Sequence, residues 1–194
     1  METMRTPGLQ MVPVTPENAG VLWRILQEPD LRDYQDLPDL DARQFARAVA
    51  ARPNKLAPGV CGRFEWLLYA ARADSAEEPA PLGWVSLRIS DRAQDAGEIG
   101  YSIVAEYRGR GYASQAVEAL VSEGFQRAAL DCVRAYCVPE NAASRAVLRR
   151  TGFVDEGVLP HGATVQGRPV DVVVHSLPRS RWEERQVSAP KSAS

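Results

Sequence analysis

The chain has 194 residues, 45% of them hydrophobic, with 23 basic against 25 acidic side chains and a formal net charge of −2. That is enough apolar material for one domain with a sizeable core, and it excludes a generally disordered chain. The near-balance of charge gives no basic excess for nucleic acid, and no apolar run is long enough to span a bilayer, so a soluble cytoplasmic protein without nucleic-acid or membrane partners is expected.

The cysteines Cys61, Cys132 and Cys137 have no metal-ligand spacing, and their odd number fits a reducing compartment. They read as free thiols, and no metal site is expected.

Residues 1–8 read as a loose start. Leu9–Val14 alternates and reads as a strand. Thr15, Pro16 and Glu17 carry the signals of a helix start, with Thr15 as N-cap, and that helix ends near Pro29. Asp30–Leu40 is polar, with Tyr34, Leu37 and Pro38 interspersed. Asp41 is placed to cap a second helix that ends at Pro53. Strands follow over Phe64–Ala71 and Leu82–Ile89, separated by a polar, proline-containing loop.

The next stretch is the most informative. Glu98–Val104 is a short apolar strand with Ile99, Tyr101, Ile103 and Val104. It runs into Arg108-Gly109-Arg110-Gly111 and then a helix to Ala128, whose Ala116, Val117, Leu120, Val121 and Phe125 recur at helical spacing. The first N–H groups of a helix have no partner inside it, and its dipole adds partial positive charge. With two glycines and two arginines beside them, such a turn can hold a pyrophosphate. It is not a P-loop, because no lysine follows the glycines. Downstream come a strand over Val133–Val138, a helix over Asn141–Thr151 capped by Asn141, and a Gly152-Phe153 turn. Then follow a strand over Phe153–Val158, a turn-rich loop over His161–Gly167 and a last strand over Val170–Leu177. Residues 179–194 read as a flexible tail. The class is α+β with a mixed, mostly antiparallel sheet, and the domain is expected to span 9–178.

Arg108, Gly111 and Ala113 fill the three positions of Arg/Gln-x-x-Gly-x-Gly/Ala, the acetyl-CoA motif of the GNAT N-acetyltransferase superfamily. Asn141-x-x-Ser144 followed by Gly152-Phe153 resembles the second signature of that family. Gly167–Leu177 is similar to the closing strand of the branch containing the ribosomal-protein alanine N-acetyltransferases. The resemblance implies a GNAT-like sheet whose central strands splay, here Glu98–Val104 and Val133–Val138, with the cofactor arm between them. It implies acetyl-CoA as acyl donor, held by the backbone at Ile103 and Val104, by the turn Arg108, Gly109, Arg110, Gly111, Tyr112, Ala113 and Ser114, and by Asn141 and Ser144. It also implies transfer to a primary amine, either a protein N-terminus or a small molecule, and a homodimer formed through edge strands.

Acetyl transfer from a thioester to an amine needs a base for the ammonium, a donor for developing oxyanion charge and a proton source for the leaving thiolate. Glu98 is the candidate base, sharing a strand face with Gly100 and Ser102. Ser144 is the candidate group at the thiolate, with Tyr136 as a rival. The competing readings are a solvated strand-start glutamate and a helix serine bonded to its own backbone. The branch carries tyrosine before Ser-Leu near the chain end, whereas here His175 stands before Ser176-Leu177. His161 lies in a loop that often lines the acceptor site in this family. The alternative function is a CoA-binding sensor or interaction module without transfer.

Overall fold

The computed structural model describes residues 1–29, 40–71, 80–90 and 96–188. Tyr34, Leu37 and Pro38, and most of the two polar loops after Ala71 and Ser90, lie outside the described residues. Among the described residues eight strands form one sheet: β1 (Met4–Arg5), β2 (Leu9–Pro13), β3 (Gly62–Ala70), β4 (Gly83–Ile89), β5 (Ala96–Ile103), β6 (Cys132–Cys137), β7 (Val154–Val165) and β8 (Arg168–Pro178). Their order is β1-β2-β3-β4-β5-β6-β8-β7. Every neighbouring pair is antiparallel except β5 and β6. That exception follows from the crossover helix between them, which a parallel pair requires. The expected α+β class and mixed sheet are present.

The helices are α1 (Ala19–Leu26), α2 (Ala42–Ala50), α3 (Tyr112–Arg127), α4 (Ala142–Arg150) and α5 (Arg179–Ser188), with a short 3-10 turn over Ala105–Tyr107. They divide the core between the two faces of the sheet. The first face packs Ala116, Val117, Leu120, Val121 and Phe125 of α3 against Val85, Leu87, Ile99 and Val133. On the other, Leu22, Ile25 and Leu26 of α1 and Phe45 and Val49 of α2 pack against Leu67 and Trp84. The alternation of side chains along β4 and β5 therefore sends odd-numbered residues toward α3 and even-numbered residues toward α1 and α2. Among the described residues no helix is long and apolar enough to cross a membrane.

Several local readings hold. Asp41 caps α2 in a reciprocal capping box with Gln44. Asn141 accepts from Ser144 N–H at 3.0 Å and caps α4. Gly152, at φ 97°, ends α4 in the left-handed region, and Phe153 is buried after it. Other readings are corrected. Thr15 is not the N-cap of α1, which begins at Ala19. The Asn18 side chain accepts from Thr15 N–H and donates to Pro13 C=O, which holds residues 15–18 in a turn. Gly62 and Ala96 start β3 and β5 slightly earlier than expected. The turn-rich reading of 161–167 gives way to a long β7–β8 hairpin with register shifts at Asp155/Gly157 and Leu159/Ala163. Only Gln166 and Gly167 form its tight turn.

The termini are not loose where described. β1 pairs with β2, and Met1 and Met4 pack against the larger core. Residues 179–188 form a helix rather than a tail. Trp182 stacks on Phe125 at 5.2 Å between centroids. Arg179 donates to Phe125 and Leu130 C=O, and Arg181 to Gly152 C=O. The polar composition of α5 hides these anchors, because its arginines spend their charge on carbonyls left open at helix ends and turns.

Candidate active site

The site is built on β5. Its pairing with β6 stops after Ala96↔Cys132, Gly97↔Val133 and Glu98↔Arg134. On its other edge β6 pairs with β8 along its whole length, from Cys132↔Pro178 to Cys137↔Val173. β5 and β6 thus part beyond Glu98. Val104 N–H donates to Leu82 C=O at 2.9 Å and continues the β4–β5 ladder. Antiparallel alternation then turns the N–H and C=O of Tyr101 and Ile103 away from β4, toward the gap. Val104 N–H is occupied by Leu82, and the Ile103 C=O accepts Arg108 Nε at 2.9 Å. Tyr101, which the sequence reading did not single out, therefore offers the more complete pair of backbone groups.

At the end of β5 the chain makes the glycine turn. Gly109 and Gly111 sit at φ 76° and 80°, a region costly for residues with a Cβ. A Cβ added at either would meet nothing within 4 Å, so the turn presents an open concave face. α3 begins at Tyr112, and Gln115 N–H is the one that bonds back to Gly111 C=O, at 3.2 Å. The N–H groups of Tyr112, Ala113 and Ser114 precede it and have no carbonyl inside the helix. Arg108 is anchored at the strand end by its bond to Ile103. Arg110 turns back to the Glu106 carbonyl at 3.2 Å and lies over the Tyr107 ring at 5.7 Å.

The first turn of α4 supplies the far wall of the gap. Ser144 Oγ and the Tyr101 hydroxyl are 2.9 Å apart, and the same hydroxyl donates to Ser144 C=O at 3.2 Å. Burial pushes the Tyr101 phenol well above its ordinary range, with Ser144 opposing that rise in part. Burial also pushes up the Cys137 thiol, a poor setting for a nucleophilic thiolate. Cys137 Sγ is 3.9 Å from Nδ1 of His175, which is fully buried, and burial lowers the basicity of that imidazole. His161 is elsewhere: its N–H donates to Asp171 at 2.9 Å, and it borders a separate, smaller cavity against Asp171 and Pro139.

The opposite face carries different chemistry. Glu98, Gly100 and Ser102 share it with Arg88, Ser86 and Trp84, their direct partners on β4. Glu98 is paired with Arg88 at 2.6 Å and is half-exposed. It sits at the last rung before β5 and β6 part, at the other end of β5 from the glycine turn. Beside this row, Arg52 and Arg63 both engage the buried carboxylate of Glu65.

A cavity of about 1130 Å³ joins the two faces. Its lining includes Gly111, Ser114, Asn141 and Ser144 from one side and Glu98 and Arg88 from the other. A continuous cleft through a parted sheet, with an anion cradle at one end, is what a transferase with two substrates needs.

A family model described as an acetyltransferase (GNAT) domain matches residues 9–154. The chain belongs to the GNAT acetyltransferase family. It is 30% identical over 178 residues to the uncharacterized N-acetyltransferase p20 of Bacillus licheniformis, which covers 91% of this chain and 96% of that one. It has the fold of the ribosomal L7/L12 alpha-N-protein acetyltransferase RimL solved with coenzyme A, with a TM-score of 0.73 and 19% identity over 91% of this chain and 98% of that one. It has equally the fold of the ribosomal-protein-S5-alanine acetyltransferase of Vibrio fischeri, with a TM-score of 0.76 and 20% identity over 94% and 99% of the two chains. The protein is an N-acetyltransferase, and its acyl donor is acetyl-CoA.

The residues present fit that donor. The open face at Gly109 and Gly111, the amides that begin α3 and the unpaired edge of β5 answer an anionic group and an amide-bearing arm in turn. Sequence reasoning missed Tyr101, Trp84 and the arginines of β3 and β4. The signal for Tyr101 was its strand position two residues before Ile103. The arginines gave none, because their convergence depends on strand register.

Proposed function

We propose that this GNAT enzyme transfers acetyl directly to a primary amine, a protein N-terminus or a small-molecule amine, with both substrates bound together. The observation that supports this reading is the single cavity, which reaches an anion cradle on the α3 and α4 side and Glu98 on the α1 and α2 side. The domain assigned to this activity spans residues 9–178, with β1 and α5 fastened against it.

In this reading acetyl-CoA, when bound, supplies an activated thioester. The amides of Tyr112, Ala113 and Ser114, with Gly109, Gly111 and Arg108, hold its anionic part. Arg110 adds charge at the same turn. The β5 edge at Tyr101 and Ile103, with Asn141, orients its arm; Val104 N–H and C=O are taken by Leu82 and Tyr107. Glu98, half-exposed and reachable from solvent, accepts the ammonium proton directly or through a water. Ser144 Oγ, 2.9 Å from the Tyr101 hydroxyl, places a hydroxyl at the opposite wall that can turn its proton from Tyr101 to the leaving thiolate. The thiol nearest that wall, Cys137, is buried and raised, which favours direct transfer over an acetyl-cysteine. The names of two fold neighbours, both ribosomal-protein acetyltransferases, support a protein N-terminus as one acceptor class.

The test is initial-rate kinetics with both substrates varied, combined with Glu98→Gln. Intersecting double-reciprocal plots are expected, with kcat falling about a hundredfold in the variant and acetyl-CoA affinity unchanged, as for loss of a general base. Parallel plots, or protein gaining an acetyl group from acetyl-CoA alone, defeat direct transfer.

A further inference from the structure

The acceptor side of the cavity holds a charge arrangement that the fold does not require. Arg63 on β3 lies directly opposite Arg88 on β4, and like charges in that position destabilise a sheet. Arg88 in turn faces Glu98 on β5. Arg52, just beyond α2, bonds to Glu65, packs over the Phe45 ring at 5.5 Å, and is mostly buried. Burial, and then the charge of Arg63, pulls Arg52 down to about 10. Arg63 is lowered as well, by burial and then by Arg88, against the opposing pull of Glu98. Arg52, Arg63 and Arg88 all line the cavity. With Glu65 and Glu98 as their partners, one positive charge is left over among the described residues at this wall.

A second, independent observation lies on the same wall. Trp84 also lines the cavity and is 3% exposed, yet its indole N–H has no hydrogen-bond partner among the described residues. A buried donor without an acceptor is costly. The Ser86 hydroxyl and the Trp84 ring fill the space that a side chain at Gly100 would need. The repelling guanidiniums are relieved by one kind of group, an anion with more than one acceptor oxygen. The remaining surplus of a single charge matches a carboxylate better than a dianionic phosphate.

We propose that the wall formed by Arg63 and Arg88 recognises a carboxylate carried by the amine acceptor. The acceptor is then either a free amino acid or a chain whose N-terminal amine is followed by an acidic side chain. This rests on the reading of the α1 and α2 side as the acceptor side. Its oxygens take the guanidinium forks, which turns the amine toward Glu98 and the gap.

The experiment compares matched acceptors that differ only in carboxylate against carboxamide. They are dipeptide amides with Asp or Asn in second place, and free amino acids against their α-amides. Each is assayed with the wild type, Arg63→Gln and Trp84→Phe, with Arg127→Gln, remote on α3, as control. The acid form is expected to exceed its amide in kcat/KM by at least about tenfold, as for a charge-assisted hydrogen bond. That ratio falls toward one in Arg63→Gln and persists in Trp84→Phe and Arg127→Gln. Whichever acid series shows the ratio identifies the source of the carboxylate. Equal turnover of acid and amide partners overturns the proposal while leaving direct acetyl transfer standing. Calorimetry with N-acetyl-dipeptide acid and amide, in the presence of CoA, separates the remaining cases. Binding of the acid form that Arg63→Gln abolishes supports the wall even if no amine is turned over, and then the transfer reading falls. Absence of both turnover and acid binding overturns the two together.

Discussion

The two halves of the cavity are made in different ways. The half proposed to hold the cofactor is almost continuous in sequence: β5, the glycine turn and the first turn of α3 follow one another from Ala96 to Ser114. Its chemistry comes from backbone, namely helix amides, strand edges and left-handed glycines. The half proposed for the acceptor is assembled from side chains on α2, β3, β4 and β5, and its charges meet only because strand register aligns Arg63 with Arg88 and Arg88 with Glu98. A backbone site tolerates side-chain change as long as the local conformation survives. A register site loses its function when one long-range partner goes, even if every strand remains.

The largest expected effect breaks the register-built half. Glu65 has a side chain 2% exposed and two arginine partners. Replacing it by alanine strands Arg52 in a mostly buried place, which costs about 3 kcal/mol of stability. Denaturant titration reads that loss directly. Acetyl-CoA affinity of the protein still folded is expected to stay near the wild-type value, and a comparable fall in affinity contradicts the division between the halves.

A smaller effect comes from the backbone-built half. Gly111→Val places a β-branched residue at φ 80°, with strain of about 1–3 kcal/mol. Its Cβ projects into open space rather than into protein. Acetyl-CoA affinity is expected to drop about tenfold or more with a modest change in folding midpoint, since the turn can relax on the surface. An unaltered affinity in a folded protein removes the pyrophosphate assignment.

The smallest concerns the wall that joins the halves at β6 and β8. His175 is fully buried, and burial holds its imidazole below the ordinary 6.5. The bond with Val173 and the charge of Asp155 oppose this, while Arg145 and Arg149 reinforce it. The unfolded chain therefore takes up the proton first. Stability is unaffected by this group well above pH 6.5 and falls as pH drops through that value toward the lower folded-state pKa. Thermal midpoints measured from pH 8 to pH 5 are expected to show that acid-side decline, and His175→Leu to reduce it. A variant as acid-sensitive as the wild type assigns the decline to other groups.

Much of the fold was legible because its signals are local. The Asp41 cap, the Asn141 cap, the Gly152 stop and the period of α3 each depend on residues within a turn or two. The misreadings share the opposite cause. Thr15 and Pro16 carry good helix-start chemistry, but the Asn18 side chain closes a turn ahead of α1. Residues 179–188 have no apolar period, yet Trp182 reaches Phe125 and Arg179 reaches two carbonyls of distant elements. The polar 161–167 segment extends as strand because β8 offers it a ladder.

The sequence by itself determined the glycine turn, the helix that follows it and the family to which both point, because backbone conformation and helix-end electrostatics are properties of a few adjacent residues. It determined Asn141 and Ser144 as neighbours in the same way. Only the tertiary structure decided that Tyr101 holds Ser144, that Trp84 keeps an unanswered N–H and that three arginines meet at Glu65 and Glu98. Those pairings are set by which strands lie side by side and in which register, and the burial of two separate apolar faces fixes that register across the whole sheet.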